Sequence, residues 1–401
     1  MITRLRRLVP SLSTDQWLIY FAQMTWGVSY SMWQHLQPLY VEYLGADPQQ
    51  VGATLSAAGL AVVFVYVPIG LLADRWRRKP IILSSWVLGT VATFLVGLAP
   101  DWRWVIPALG LYMLSSFSRP VVAGHVAATD LGDNPSGTFA FLWTGFSVGS
   151  LIGPALGGWI AGTWGLRAVF AVSGGVGLFS SWIMAQLSDG PPPARLPEAR
   201  PAATALWRDG PFLLQMLVMA SIVLALELGT VLAPNYLQTV KALSLQQIGQ
   251  LGTLASLGLL ALTLALGYMR PHSRRPMILN QILVAAGLVL LLAAPAGAPW
   301  HPFLLAGFFL RGGNRAVVPL TRGRVSAWLP PEAASAGFGL VDMAAQTATL
   351  VAPLVAGYLY TRDPAWPLIG GVLLLGVTLI ITWLAPATRP IPKAAPADLA
   401  T

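Results

Sequence analysis

The sequence predicts an all-α integral membrane protein with twelve transmembrane helices in two pseudo-symmetric six-helix bundles. The chain is 55% hydrophobic, its mean hydropathy is +0.66, and only 10% of its residues are charged, against about 25% in soluble domains. Apolar segments of about 20 residues, long enough to cross a membrane, recur throughout. Because lipid offers no partners to backbone polar groups, the spans are expected to be helices. Strands of a β-barrel would alternate apolar and polar residues, and these runs are continuous.

The orientation of the spans follows from the positions of the Lys and Arg residues. With the N-terminus inside, the inner segments hold 17 of the 24 Lys and Arg residues, and the outer segments hold only Arg103, Arg167, Lys241 and Arg362. This asymmetry predicts that both termini are cytoplasmic, and the opposite side is called the predicted outer side below. The predicted spans are residues 16–43, 49–72, 80–99, 103–127, 136–163, 167–188, 211–238, 245–269, 276–296, 302–326, 333–361 and 366–385.

The chain contains an internal repeat. Pro38–Leu39–Tyr40 is repeated as Pro234–Asn235–Tyr236. Arg119 with Val121 and Val122 is repeated as Arg315 with Val317 and Val318. The offset is 196 residues in both cases, and it is 197 between Gln50–Val51–Gly52 and Gln247–Ile248–Gly249. A Pro- and Ala-rich stretch without apolar periodicity separates the halves, which predicts a flexible linker. We expect an N-terminal bundle over 1–188, a linker over 189–210, a C-terminal bundle over 211–388 and a tail over 389–401. Parallel repeats of this kind are typical of transporters, whose site lies near mid-membrane between the halves.

A cluster of charges interrupts the apolar sequence at GLLADRWRRKP, residues 70–80. The stretch resembles the loop 2–3 signature of the major facilitator superfamily, G-x-L-A-D-R-x-G-R-[RK], although Arg77 stands at the usual glycine. The resemblance implies a cytoplasmic latch that holds the outward-open state. Asp74 would face the helix N-terminus near 333–337, and Arg78 would pair with Asp130. The alternative is a positive-inside anchor with no gating role. The latch residues are Gly70, Asp74, Arg75, Arg78 and Asp130.

A second motif is GFSVGSLIGPALGG, residues 145–158 in the fifth span. Glycines spaced by four residues share one helix face, where another backbone can approach closely, and a proline bends the helix. The motif resembles the span 5 antiporter motif of drug–proton antiporters, although Ala140 stands where the first glycine of that motif falls. The alternative is ordinary small-residue packing. The motif residues are Gly145, Gly149, Gly153, Pro154, Gly157 and Gly158.

Charged residues at membrane depth are candidates for proton coupling, because each costs at least ~2.5 kcal/mol at the centre of a span. Glu227 lies in the middle of the seventh span. Burial of a carboxyl disfavours its charged form, so we expect this acid to exchange protons. The alternative is a structural carboxyl bonded to a neighbouring helix. Asp342 is expected to pair with Arg311 or Arg315, one turn apart. Arg119 resembles the arginine of the family's span 4 motif, and it has either a coupling or a structural role.

The first span is unusually polar, and its Gln and aromatic residues follow helical spacing on one face. Such a face is unsuited to lipid and is expected to line a central cavity. His35 either titrates or is a neutral, hydrogen-bonded histidine. Aromatic rings near a deep acid favour lipophilic cations. The predicted cavity residues are Gln23, Trp26, Tyr30, Trp33, Gln34, His35, Asn314 and Gln346.

Together these features predict a proton-coupled antiporter that exports lipophilic or cationic drug-like molecules. The alternatives are efflux or uptake of sugars or other metabolites on the same fold, and an uncoupled membrane receptor or lipid transporter. No catalytic constellation, metal-ligand spacing or phosphate loop is present, so neither an enzyme nor a cofactor is expected. The net charge of +9 is explained by inner loops, not by nucleic-acid binding. The expected partners are a small-molecule substrate, protons and the bilayer. We expect a monomer in the bacterial inner membrane with no cleaved signal peptide.

Overall fold

A computed structural model of the chain describes residues 12–73, 78–118, 121–122, 125–126, 135–189, 210–267, 269, 274–317, 320–321 and 334–384. Within these ranges, the side chains of 61–73, 135–137, 139–140, 211, 315 and 334–339 are outside the description. The described residues form helices and turns and contain no β-strand. The fold is therefore all-α, as the sequence predicts.

The first half of the described chain consists of seven α-helices and one 3₁₀ turn. The 3₁₀ turn, Ser115–Ser118, directly continues the fifth helix. The helices are α1 (Thr14–Gln34), α2 (Gln37–Tyr43), α3 (Pro48–Ala73), α4 (Arg78–Gly97), α5 (Trp102–Leu114), α6 (Pro135–Trp164) and α7 (Leu166–Ala185).

The second half repeats this order. A 3₁₀ turn, Gly312–Ala316, again continues the fifth helix of the set. The helices are α8 (Gly210–Thr230), α9 (Ala233–Thr239), α10 (Leu245–Gly267), α11 (Arg275–Ala293), α12 (Pro302–Arg311), α13 (Ala334–Arg362) and α14 (Trp366–Leu384).

The internal repeat is visible in where the helices start and break. The helix α10 begins 197 residues after α3, and α11 begins 197 residues after α4. The first helix of each half breaks after its main segment and resumes as a short helix, α2 or α9, with Pro38 or Pro234 in its first turn. Proline suits that position because its missing N–H would have no helical partner there.

Seven helices in the described part of the chain are long and apolar enough to cross a membrane by themselves. Among the other described helices, α1 is followed by a kink before α2, and α5 and α12 each continue into a 3₁₀ turn. The seven are Arg78–Gly97, Leu166–Ala185, Phe212–Thr239, Leu245–Gly267, Arg275–Ala293, Leu340–Arg362 and Trp366–Leu384.

Two helix pairs join the halves. Within the first half α1 packs on α6 and α7, and within the second α8 packs on α13 and α14. Between the halves, α6 packs on α10 and α3 packs on α13. These two pairs of packed helices are called the seams between the halves below.

Small residues let both seams close tightly near the predicted outer side. A β-carbon on Gly158 of α6 would lie 2.8 Å from the Cα of Gly249 in α10. In the other seam, a β-carbon on Gly357 of α13 would lie 2.6 Å from the carbonyl oxygen of Pro48. Only residues without a side chain permit backbones to approach this closely. The described structure is therefore closed on the predicted outer side.

Candidate functional site

A cavity of about 560 Å³ lies between the two halves. Its volume falls in the range of small-molecule sites, about 300–1,000 Å³. The kink between α1 and α2 and the equivalent kink between α8 and α9 both contribute to its wall. The polar and charged lining residues are Tyr30, Ser31, Gln34, His35, Gln37, Ser147, Ser150, Glu227, Thr230, Ser256, Thr263, Arg311, Asn314 and Thr349.

The charged groups of the wall come from the C-terminal half. Among the described lining residues, Glu227 is the one carboxyl group and Arg311 is the one permanent cation. Arg311 ends α12 and is buried, and its guanidinium carbon lies 4.8 Å from the centre of the Phe308 ring. The cavity therefore combines a carboxyl group with a fixed positive charge.

The N-terminal half supplies a neutral wall with Tyr30 and Phe146. Tyr30 stacks on Tyr112 of α5, with ring centroids 5.9 Å apart. The structure places Trp26 and Trp33 behind this wall, whereas the sequence predicted them to line the cavity. Trp26 also stacks on Tyr112, and Trp33 is 2% exposed and meets the same ring edge-on at 4.9 Å. The two tryptophans thus support the wall instead of forming it.

The structure brings together four of the eight predicted cavity residues: Tyr30, Gln34, His35 and Asn314. Besides the two tryptophans, Gln23 and Gln346 are absent from the described lining, and Gln346 is exposed. The physical reason is geometric. A stripe with helical spacing covers a broad arc of α1, and a helix inside a bundle directs that arc towards several neighbouring helices.

Sequence reasoning missed the hydroxyl groups of the wall. The hydroxyls of Ser150 and Thr263 are buried, and neither has a hydrogen-bond partner in the described protein. Buried polar atoms are normally paired, so these two are available to a bound molecule. The one hint in the sequence to these hydroxyls was that Ser147 and Ser150 lie within the glycine motif of α6.

The glycines of that motif face α1. A β-carbon on Gly145 would lie 2.5 Å from the carbonyl oxygen of Tyr20, and β-carbons on Gly149, Gly153 and Gly157 would overlap the backbone or side chains of residues 24–32. Gly158 faces the other way, towards α10. Pro154 lies in the seam, where its β-carbon would be 3.0 Å from a β-carbon on Gly252. The motif therefore fixes α6 against α1 on one face and against the C-terminal half on the other.

The remaining predicted coupling residues are away from the cavity wall or outside the described residues. Asp342 is half-buried in α13 and is absent from the described lining. Arg119 and the side chain of Arg315 are outside the described residues. The pairing of Asp342 with Arg311 or Arg315 therefore stays a prediction.

Most of the predicted cytoplasmic latch is also outside the described residues, namely Asp74, Arg75 and Asp130. Gly70 lies in α3, in a stretch whose side chains are not described. Arg78 is the first residue of α4, and its Nη1 atom is buried without a hydrogen-bond partner. The latch stays a prediction.

Several curated proteins are similar to part of this chain. The multidrug resistance protein MdtG of Serratia proteamaculans is 34% identical over 157 residues, which are 37% of this chain and 38% of that protein. The multi-drug resistance efflux pump PmrA of Streptococcus pneumoniae is 28% identical over 162 residues, 39% of this chain and 40% of that protein. The matched region thus spans less than half the length of these relatives.

Solved transporter structures share the fold at low identity. A variant of the nucleoside transporter NupG has a TM-score of 0.79 at 12% identity, over 92% of this chain and 98% of that chain. A variant of the peptide transporter POT in complex with sulfate has a TM-score of 0.75 at 14% identity, over 96% of this chain and 98% of that chain. The sequence model of the Major Facilitator Superfamily matches residues 17–269 and 212–400. With this match, its helical fold and the cavity between its halves, the chain belongs to the Major Facilitator Superfamily of multi-pass membrane transporters.

Proposed function

We propose that the protein is a proton-coupled antiporter that exports lipophilic or cationic drug-like molecules. The observation that carries the proposal is the position of Glu227, the one carboxyl among the described residues that line the cavity between the halves. The aromatic wall opposite, with Tyr30 and Phe146, suits a flat apolar cation. Two similar proteins are named for multidrug resistance or efflux, which supports this substrate class.

The mechanism follows from competition for one carboxylate. Ionised Glu227 attracts a cation, and protonation removes that attraction, so the proton and the substrate bind alternately. A proton taken from the outer side releases the substrate there, and loss of the proton inside prepares the site again. Because the carboxyl lies between the two bundles, relative motion of the bundles can expose it to either side in turn.

The boundaries of the halves, the orientation in the membrane, the cellular location and the monomeric state are part of the same proposal. The halves are residues 1–188 and 211–388, and both termini face the cytoplasm, as the Lys and Arg asymmetry indicates. The bacterial origin of the similar proteins supports an inner-membrane location. One chain forms the whole cavity, which supports a monomer. Light scattering that gives a dimer mass for the detergent-solubilised protein would contradict that last point.

The test of Glu227 is proton release from purified protein in weakly buffered detergent when tetraphenylphosphonium is added. We expect wild type to release up to one proton per bound cation and Glu227→Gln to release none, because the amide does not ionise and has no acidic proton to release. Asp363→Asn is the matched control, since it removes an exposed carboxyl of the same half that is absent from the described cavity wall. Equal release by wild type and Glu227→Gln would contradict the assignment.

A second candidate is transport of a polar metabolite with an anionic group. Arg311 favours it, because a fixed guanidinium in the cavity wall attracts carboxylates and phosphates and repels small cations. The same titration distinguishes the two when anionic and zwitterionic compounds are added beside the cations. Binding of the anions alone, lost in Arg311→Gln, would favour this candidate over drug export.

A further inference from the structure

Two prolines interrupt helices that line the cavity, one in each half. Pro154 lies inside α6, and Pro353 lies inside α13. Proline has no backbone N–H, so the carbonyl oxygen four residues earlier in the helix loses its usual donor. The two carbonyls released in this way belong to Ser150 and Thr349, and both residues line the cavity. Each half therefore contributes one released backbone acceptor within a residue of the cavity wall.

The released carbonyls lie at the end of the cavity where the halves close. Each proline packs against a glycine of the opposite half: a β-carbon on Gly249 would overlap the carbonyl oxygen of Pro154, and one on Gly52 would overlap that of Pro353. The released carbonyls lie about one turn of helix from the prolines, towards the predicted inner side. The two prolines are 199 residues apart, close to the offset of the internal repeat, so the two acceptors hold equivalent positions in the halves.

No side chain in the described part of the chain donates to the carbonyl oxygen of Ser150 or of Thr349. The hydroxyl of Ser150 is also buried without a partner, whereas the hydroxyl of Thr349 donates to the Ala345 carbonyl oxygen of its own helix at 3.1 Å. At the α6 kink the N–H of Ala155 donates to the Thr253 hydroxyl of α10, 3.2 Å away, so the backbone there already bonds outside its own helix. Buried polar atoms are normally paired, and a molecule in the cavity is the remaining source of donors.

We propose that Ser150 and Thr349 bind N–H groups of the substrate, so that the transporter selects amines, amidines or guanidines over cations that lack N–H groups. The carbonyl and the hydroxyl of Ser150 accept hydrogen bonds from the substrate, and so does the carbonyl of Thr349. A positive charge on the donor strengthens such bonds. A quaternary cation displaces the water from these acceptors and offers them no donor, and a site with unpaired buried polar groups rejects such a ligand strongly.

This selection rests on the proposed export of cations and narrows the class of cation. Glu227 attracts any positive charge, whatever groups carry it, whereas the acceptors of Ser150 and Thr349 distinguish a charge with N–H groups from one without them. Tetraphenylphosphonium therefore still binds through its charge and its rings, but more weakly than an amine of similar size. The acceptors are neutral, so they select N–H groups on uncharged molecules as well.

The experiment compares the affinities of 4-phenylbutylammonium and 4-phenylbutyltrimethylammonium for the purified protein by calorimetry in detergent. Wild type should bind the ammonium at least about tenfold more tightly, the effect of one hydrogen bond from a charged donor. Pro154→Ala returns an N–H to the Ser150 carbonyl, and Ser150→Ala removes the hydroxyl without changing the backbone. Each variant should lose most of this preference, because only the affinity for the ammonium falls. Pro107→Ala is the matched control: Pro107 lies inside α5 and releases the carbonyl of the exposed Arg103, which is absent from the described cavity wall.

A neutral pair, 4-phenylbutanamide and its N,N-dimethyl derivative, separates this proposal from the export of cations. A preference for the primary amide that Ser150→Ala weakens would support the acceptor site even if neither cation bound, a result that would count against cation export alone. In Glu227→Gln both cations should bind more weakly, and the ratio of their affinities should persist. Equal affinity within each pair in wild type, or a preference that both Pro154→Ala and Ser150→Ala leave unchanged, would overturn the proposal.

Discussion

At the scale of single residues, Asp15 shows how a charged group is accommodated at the predicted inner edge of the bundle. It lies in the first turn of α1, just before the predicted span, where its carboxyl accepts hydrogen bonds from the backbone N–H and the hydroxyl of Ser188. Nε2 of the buried His125 lies 3.1 Å from the same carboxyl. Burial by itself raises the pKa of Asp15, but the hydrogen bonds from Ser188 and the contact with His125 outweigh it and lower the pKa.

This lowered pKa predicts the pH dependence of stability. A group with a lowered pKa in the folded state stabilises fully above its unfolded value, about 3.9 for Asp, and the contribution is lost as pH falls through the folded value. We expect Asp15→Asn to lower the unfolding free energy by about 1.5–3 kcal/mol at pH 7, the usual range for hydrogen bonds to a charged group. The deficit should shrink as the pH falls below the unfolded value and disappear only below the lowered pKa of the folded state.

The measurement is the unfolding temperature of wild type and Asp15→Asn in detergent at pH 7, 5 and 3.5. The control is Asp101→Asn, because Asp101 caps α5 through one backbone hydrogen bond and asparagine caps equally well. A deficit of equal size at all three pH values would show that the effect of Asp15→Asn is steric.

At the scale of helices, α6 shows how the sequence specifies one neighbour on each face. Its glycines at intervals of four meet α1, and Gly158 meets α10 of the other half. Hydrophobic burial cannot drive these contacts inside lipid, so close backbone packing supplies the attraction. The same face cannot accept even one extra methyl group without moving a backbone.

Gly149→Ala should therefore destabilise the protein, whereas Gly175→Ala should not. A β-carbon on Gly149 would overlap the carbonyl oxygen of Met24, while one on Gly175 in α7 would meet no atom within 4 Å. Overpacking of this kind costs typically ~1–3 kcal/mol, and alanine in an unhindered helix gains up to ~1 kcal/mol over glycine. The readouts are the yield of monodisperse protein and its unfolding temperature. Equal stability of the two variants would refute the packing role of the motif.

At the scale of the whole molecule, the two seams decide which side of the transporter is closed. Close contact at Gly158 and Gly249 in one seam, and at Pro48 and Gly357 in the other, brings the outer ends of the halves together. These contacts are made of backbone and small residues, so they can form and separate without leaving unpaired charges. Closure is thus sensitive to single methyl groups at the seam.

Gly249→Ala is predicted to open the outer side. Its β-carbon would lie 2.6 Å from the Cα of Gly158, closer than real side chains approach. Gly162→Ala is the control, because a β-carbon there would meet Gln246 at an ordinary 3.6 Å. Spin labels at Thr163→Cys and Ala296→Cys, exposed positions at the predicted outer ends of opposite halves, should show a longer mean distance in Gly249→Ala by pulsed electron spin resonance, and transport should fall. An unchanged distance would mean that the seam tolerates separation at this point.

The sequence by itself determined the membrane class, the helical fold and the superfamily. These follow from apolar length, from the repeat at 196 or 197 residues and from the charged signature at residues 70–80. Such properties are local or periodic, and the bilayer allows few alternatives, since every backbone polar group must be paired within a helix. The helix breaks near residues 35 and 231 were harder to predict from the sequence, although each precedes a proline.

Only the tertiary structure decided which polar residues meet. Gln23, Trp26, Tyr30 and Trp33 share the helical spacing of α1, yet the position of α5 behind that helix places Tyr30 in the cavity wall and Trp33 in the core. The spacing of residues along a helix specifies which of them share a face of that helix. Which face lines the cavity depends on how several helices are rotated relative to one another. For the same reason the contact of Glu42 with Asn235 joins residues 193 positions apart, and no pattern along the chain indicates it.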